Sequence, residues 1–494
     1  MSKRYIISID QSTQGTKGLL FDCNGTLMCR LDVPHKQIIN DSGWVSHDPE
    51  EIYENVKKVA RGILVKSNVS PEQVAGVGIS NQRETSIIWD KRTGLSLNNA
   101  VVWQCARATV ICERPSIKSH ANKIFEKTGM KLSPYFPAAK LAWLIQNTDG
   151  IDGKLKKHEV CMGTVDTYVI YRLTKGEVYA TDYSNASRTQ LFNIFDLKWD
   201  KDICEFFGID SYDLPEVKNS NSCFGYTDFE GLFSEPVPIH AVLGDSHGAL
   251  FGQDCRKAGL AKATYGTGSS IMMNIGETPI LSNNGLVTSL AWSIDGKVEY
   301  VLEGNLNYTG AVITWLKDDL ELIESASDTE SLAYKANKED NLYLVPAFTG
   351  LGAPYWNSNA KAAIIGMDRT TRRPEIIRAA LECIAYQITD IINSMEDDAQ
   401  IKLTELRVDG GPTKNKYLMQ FQSDITGCKA LVPTQEELSG IGAAYMAGIA
   451  LGIWDENIFG KMKRTVFTPK MSPKIAREKY SGWKNAAKST IQKQ

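Results

Sequence analysis

One local pattern, written twice, constrains this chain more than anything else in it. Near the N-terminus the apolar run Tyr5-Ile6-Ile7-Ser8-Ile9 leads through a polar turn of small residues, 10–17, into Gly18-Leu19-Leu20-Phe21-Asp22. Near the middle, residues 259–264 lead through Tyr265-Gly266-Thr267-Gly268-Ser269-Ser270 into Ile271-Met272-Met273-Asn274-Ile275. Each stretch reads as strand, tight turn, strand, which is a β-hairpin. A chain that opens each half this way divides into two similar α/β domains, 1–250 and 251–494. Other local signals agree. Asn24-Gly25 is a turn signal before a third strand from Leu27. Asp48 as N-cap, Pro49 as first helical residue and Glu51 closing a capping box then predict a helix with Ile52, Val56, Val59 and Ile63 on one face. Farther on, a strand over 341–346, a helix over 374–395, a strand over 404–409 and a helix over 438–453 alternate, as α/β architecture requires.

Composition excludes several classes. The 494 residues carry 55 basic and 58 acidic side chains, a net charge of −3. With no basic excess and no charge block, nucleic acid is not an expected partner. The apolar N-terminal run breaks at Asp10, so it is not read as a signal peptide. Residues 438–454 carry no charge but contain Gly440, Gly442, Gly448 and Gly452. That stretch falls short of the ~20 apolar residues of a membrane span and reads as a buried core helix. The ten cysteines are scattered, without a Cys-x-x-Cys pair and without clustered histidines. They read as reduced, buried thiols in a cytoplasmic protein, with no integral membrane contact.

The turns carry the chemistry. Small residues in a tight hairpin let several backbone N–H groups converge on one phosphate, and Thr13 adds a hydroxyl. Asp10, ending a buried strand, suits Mg²⁺ held through water, and Lys17 supplies positive charge. The second hairpin offers Gly266 and Thr267. A third site, Val408-Asp409-Gly410-Gly411-Pro412-Thr413-Lys414-Asn415, follows an apolar strand as a nucleotide-binding junction does. Each hairpin, taken alone, is more often an ordinary turn. Together they describe a nucleotide cleft between two domains.

These elements resemble the FGGY carbohydrate kinases, whose two domains share the actin and Hsp70 (ribonuclease H-like) fold. The runs Tyr135-Phe136-Pro137-Ala138-Ala139-Lys140 and Gly366-Met367, with Glu375-Ile376 and Ala379-Ala380-Leu381-Glu382, look like the family's two signatures. Long runs are similar to the glycerol kinase branch, among them Gly43-Trp44-Val45-Ser46-His47-Asp48-Pro49, Asn81-Gln82-Arg83-Glu84-Thr85 and Thr181-Asp182-Tyr183-Ser184-Asn185-Ala186-Ser187-Arg188-Thr189. The resemblance implies ATP and Mg²⁺ as cofactors, a small polyol or sugar as partner, and assembly as a homodimer or homotetramer. It puts Arg83, Glu84, Trp103, Tyr135 and Asp245 on glycerol-contacting positions, with Asp245 as catalytic base. Gln14 and Gly310 join Thr13, Lys17, Gly266, Thr267, Gly411 and Asn415 as nucleotide-binding positions.

The departures from that branch concern substrate choice. Ser246 stands where Gln is usual and Ser270 where Phe is usual, so both become candidate substrate-binding hydroxyls in a roomier, more polar pocket. Ser12 replaces a usual Gly, and Lys17 a usual Arg. His247, beside Asp245, is either a substrate contact or a packing residue. The segment 227–236 lacks the His, Arg or Gly run through which some relatives are regulated. The expected reaction is phosphorylation of a terminal hydroxyl, first of glycerol, alternatively of a four- or five-carbon polyol or ketose. The rival is a non-enzymatic actin/Hsp70-like ATPase, which needs no small-molecule pocket. Without the resemblance, Arg83–Glu84 reads as a surface ion pair and Asp245 as a helix cap.

Overall fold

The structure, a computed structural model, describes residues 4–491. Two large mixed sheets organise the chain. The first orders its strands Cys223–Thr227, Val237–Gly244, Val74–Asn81, Tyr5–Gln11, Gly15–Phe21, Leu27–Pro34. The second orders Arg464–Phe467, Lys429–Pro433, Glu405–Asp409, Leu260–Tyr265, Ser269–Gly276, Lys297–Leu306, Val287–Ile294. Both repeat one plan. Three parallel strands form the centre, the hairpin partner and its neighbour run antiparallel on one side, and an antiparallel strand closes the other side. The second sheet adds Val287–Ile294 at its edge.

Register explains why the hairpins are so tight. Gln11 pairs with Thr16 and Asp10 with Lys17, so the strand Gly15–Phe21 begins before the apolar run that announces it. In the second hairpin Tyr265 pairs with Ser269 across Gly266–Gly268. The helix Pro49–Ser67 covers the first sheet with Ile52, Val56, Val59 and Ile63 fully buried, and Asp48 accepts from the Glu50 N–H at 2.9 Å. Glu51 departs from the expected capping box. Its carboxylate turns outward and accepts the Lys36 N–H at 3.2 Å. The helix expected over 374–395 is longer, Arg373–Ala399, and ends on Gln400 in the left-handed region.

The charge-free stretch forms the buried helix Leu438–Ala450, which crosses the helix Asp245–Gly252 backbone to backbone. Glycine is required at the crossing, because a Cβ on Gly442 would lie 1.9 Å from the Gly248 carbonyl oxygen. One apolar cluster there joins Ile6, Leu19 and Leu243 of the first sheet to Met272 and Val301 of the second through Leu250 and Ile441. Residue 250, the expected division, lies within the helix Asp245–Gly252. No helix among the described residues is long and apolar enough to cross a membrane. All ten cysteines are free; Cys23 is exposed, where burial was expected.

Candidate active site

The first hairpin closes on itself, with the Ser12 N–H and hydroxyl both donating to the Gly15 carbonyl at 2.9 Å. Thr13 stands half-exposed at the turn and its Oγ1 accepts from Trp103 Nε1 at 2.9 Å, while Gln14 is exposed at the tip. Asp10 is buried beneath the turn. Burial pushes its pKa up to about 6 against the pull of Lys17. Its Oδ1 has no hydrogen-bond partner. An orphaned, buried carboxylate oxygen of this kind fits a hard cation or its hydration shell. Lys17 is not a free cation: its Nζ pairs with Glu437 at 2.6 Å and lies 3.8 Å from Asp10.

On the second hairpin the Gly266 N–H donates to the Gly268 carbonyl at 2.8 Å. The carbonyls of Gly266 and Thr267 accept from the first N–H groups of the helix Gly310–Thr314, Gly310 N at 2.9 Å and Ala311 N at 3.0 Å. That approach accounts for Gly310, whose Cβ would sit 2.5 Å from the Gly266 oxygen. Beyond this contact opens a cavity of about 940 Å³ walled by Gly310, Thr314, Thr329, Tyr334, Gly411 and Asn415. Three sequence-derived nucleotide positions therefore meet at one cavity. Thr267 lines a smaller neighbouring cavity of about 280 Å³. Thr13, Gln14, Lys17 and Gly266 line neither. Asn415 is largely committed to scaffold work, its Oδ1 capping the next helix at Leu418 N (2.9 Å) and its Nδ2 donating to Thr329 Oγ1 (3.0 Å).

Arg83 and Glu84 follow the strand Val74–Asn81, and a left-handed backbone at Glu84 (φ 62°) follows directly on Arg83. They are neither on the surface nor paired with each other. Arg83 Nη1 and Nη2 donate to the two Glu303 oxygens at 2.9 and 3.0 Å, Nε to Asp245 Oδ1 at 3.1 Å, and Nη2 also to Ser246 Oγ at 3.2 Å. Glu84 accepts from Arg188 Nε at 2.6 Å. Burial alone would favour neutral Glu303, but Arg188 and Arg83 outweigh it and hold that carboxyl well below its ordinary range. Trp103 and Tyr135 meet edge to face at 5.7 Å, and the Tyr135 carbonyl accepts from buried Lys140. Asp245 ends the strand Val237–Gly244 and opens the following helix. Its side chain keeps 35% exposure, in contrast to the buried groups around it, and Oδ1 accepts from the Ser246 N–H. Its charge is felt by Asp10 beside the first hairpin and by Lys262 on the second.

Ser270 is reached by the same network. It donates to Glu303 at 3.4 Å and accepts from Lys262 Nζ at 3.4 Å. Cross-strand register lines up Asp409, Thr264, Ser270 and Asn305 across the second sheet. His247 is fully buried, and neither ring nitrogen has a partner. Burial and the Arg83 charge push its pKa down, which suits a neutral packing residue. Four residues of the cluster, Glu303, Arg188, Lys262 and Glu437, were not singled out by sequence reasoning. The site thus sets a part-exposed carboxylate against Arg83, whose charge also reaches Tyr135, and within electrostatic reach of both hairpins.

Known proteins match the chain over its length. The models of the FGGY family of carbohydrate kinases match residues 5–252 as its N-terminal domain and 261–451 as its C-terminal domain. The glycerol kinase of Caldanaerobacter subterraneus subsp. tengcongensis is 45% identical over 491 residues, 99% of each chain. Glycerol kinase 1 of Thermotoga maritima is 46% identical over 490 residues, again 99% of each. The crystal structure of Plasmodium falciparum glycerol kinase with ADP superposes with a TM-score of 0.94 at 37% identity, covering 100% of this chain and 99% of that one.

Proposed function

Since the chain belongs to the FGGY family of carbohydrate kinases and is an ATP-dependent kinase, we propose that it transfers the γ-phosphoryl group of ATP to a terminal hydroxyl of glycerol, giving glycerol 3-phosphate and ADP. One observation carries the residue roles: an Asp245 carboxylate that keeps 35% exposure is held at 3.1 Å by Arg83, whose charge also reaches the Tyr135 ring paired with Trp103. A carboxylate so placed takes the proton of the attacking hydroxyl, which positioning makes worth ~10²–10⁴-fold in rate. Arg83 donates to, and Glu84 accepts from, the neighbouring hydroxyls, while Trp103 and Tyr135 cover the carbon chain. Thr13 and Gln14 with Gly266 and Thr267 approach the phosphates from the two hairpins, Lys17 sets the field there, and Gly310, Gly411 and Asn415 flank the adenosine. Asp10 would hold Mg²⁺, which when bound neutralises phosphate charge.

Family membership sets aside the non-enzymatic ATPase reading. A second substrate reading keeps a specific observation in its favour. Ser246 and Ser270, both part-exposed, present hydroxyls on opposite ends of the Arg83–Glu303 pair, where the additional hydroxyl of a four- or five-carbon polyol or ketose finds partners. ADP release measured with glycerol, erythritol, threitol, xylitol, ribulose and xylulose decides between them. Glycerol is expected to give the highest kcat/KM, and a longer acceptor giving more replaces it. The enzyme is expected in the cytoplasm as a homodimer or homotetramer, which light scattering checks.

A further inference from the structure

We propose that Glu303 is a positioning residue through which the nucleotide-bearing half of the molecule sets the geometry of the acceptor-binding pair Arg83–Glu84. The inference rests on the acceptor reading above. Glu303 lies on the strand Lys297–Leu306 of the second sheet and is 1% exposed. Both of its direct ion-pair partners come from the first half of the chain, while Lys262 of its own sheet acts on it from beyond Ser270. Arg83 grips both oxygens, and Arg188 Nη1 lies 2.9 Å from Oε2, close enough to pair by charge though not aligned as a hydrogen bond. Arg188 in turn donates Nε to Glu84. The result is a closed square of two cations and two anions, Arg83, Glu303, Arg188 and Glu84, with Arg83 and Glu84 also adjacent in the chain.

The square leaves Arg83 little freedom. Two of its nitrogens are fixed by Glu303, so its Nε points at Asp245 and its Nη2 at Ser246. Without the Glu303 charge, the two buried guanidinium groups keep one buried carboxylate, Glu84, and the part-exposed Asp245 that Arg83 Nε already touches. Breaking a buried pair by removing one partner is strongly destabilising for the geometry around it. Arg83 then turns to the nearest remaining anion, Asp245, and the hydroxyl-binding face is lost. Glu303 touches neither acceptor nor nucleotide in this reading; it acts through Arg83 and Arg188. Its Oε1 also accepts from Ser270 Oγ and Asn305 Nδ2, at 3.4 and 3.3 Å, which fixes the carboxylate plane from its own sheet.

The test compares wild type, Glu303→Gln, Glu303→Asp and the double variant Glu303→Gln/Arg188→Gln, using whichever acceptor the wild type phosphorylates fastest. A misplacement of about 1 Å costs ~10²-fold, so Glu303→Gln is expected to lower acceptor kcat/KM by ~10² or more while the KM for ATP stays within about 3-fold. Glu303→Asp keeps the charge but withdraws it by one methylene, and falls between the two. The double variant restores charge balance and recovers part of the loss, so the two substitutions are non-additive. Acceptor kcat/KM unchanged in Glu303→Gln overturns the proposal. So does a parallel loss of acceptor and ATP affinity, which marks a merely structural role. Should Glu303→Gln fail to fold, Glu303→Asp decides alone, by the same split between acceptor and ATP. A wild-type enzyme that phosphorylates none of the acceptors overturns the substrate reading instead, a result distinct from either outcome here.

Discussion

Replacing Gly411 with valine tests whether the cavity it lines holds the nucleotide, apart from the fold that builds it. Gly411 begins the short turn Gly411–Lys414 on the cavity wall, and a Cβ added there meets no atom within 4 Å. The side chain of Gly411→Val therefore enters the cavity and not the protein. Gly410, its neighbour, is the opposite case: its φ is 98° and a Cβ would lie 1.9 Å from the Tyr265 carbonyl oxygen. An isopropyl group that displaces about 100 Å² of apolar nucleoside contact removes ~2.5 kcal/mol at ~25 cal/mol per Å². That corresponds to a rise of roughly 70-fold in the KM for ATP. Stability should not fall, because the added side chain clashes with nothing and losing a glycine from an unstrained position restricts the unfolded chain, which stabilises by ~0.4–1 kcal/mol. The assay is ADP release with ATP varied at saturating acceptor, then acceptor varied at saturating ATP, with thermal melting of the free enzyme alongside. Gly411→Val should keep its Tm and its acceptor KM, whereas Gly410→Ala should lose Tm outright. A folded Gly411→Val enzyme with wild-type KM for ATP would show that the cavity does not hold the nucleoside. Equal increases in both KM values would show that the substitution acts through the fold.

Asp245→Asn removes the proposed proton acceptor and should lower kcat by ~10² or more with nucleotide binding intact; a variant keeping over about a tenth of wild-type kcat refutes the base assignment. Ser246→Gln with Ser270→Phe removes two hydroxyls beside Arg83 and Glu303, and at ~1 kcal/mol per polar contact should shift kcat/KM toward glycerol over four- and five-carbon acceptors by ~10-fold or more; an unchanged ratio assigns the serines no part in selection. Lys140 is fully buried, and burial brings its pKa down to about 7. The unfolded chain then keeps that proton up to pH ~10 while the folded chain has lost it, so stability rises with pH between about 7 and 10 by up to ~1.4 kcal/mol per unit. Urea unfolding of wild type and Lys140→Met across that range should show their stability difference growing with pH in favour of wild type, and a flat difference refutes the depressed pKa.

What the sequence made legible follows from the range over which each signal acts. Both hairpins, the helix behind Asp48 and the alternation of later elements are local, and small turn residues between apolar runs mark them. The burial of 438–454 is also legible, since the stretch is too short for a membrane, but the helix crossing that Gly442 serves is not, because Gly440 and Gly448 pack against Leu19 and Trp454 and Gly452 has a left-handed backbone. Glu51 shows where local grammar yields. The spacing from Asp48 suits a capping box, but the Lys36 N–H from the preceding segment competes for the carboxylate and wins. Arg83 and Glu84 were placed by resemblance, and their own chemistry suggested a surface pair. Their true partners lie far along the chain, since Arg83 and Glu303 are 220 residues apart.

Glu303 is the least legible of these residues in the sequence. In the run Tyr300-Val301-Leu302-Glu303-Gly304 a single acid among apolar residues gives no motif, and a strand that buries it is unfavourable on local grounds. It becomes tolerable only when another part of the chain delivers opposite charge to the same point. Here the first domain delivers two guanidinium groups, and their surplus charge is balanced in turn by Glu84. The stability of each member depends on the other three, so substituting one alone leaves a buried charge unmatched. The proposed acceptor site is accordingly a property of the two domains held together and not of the segment that carries Arg83 and Glu84.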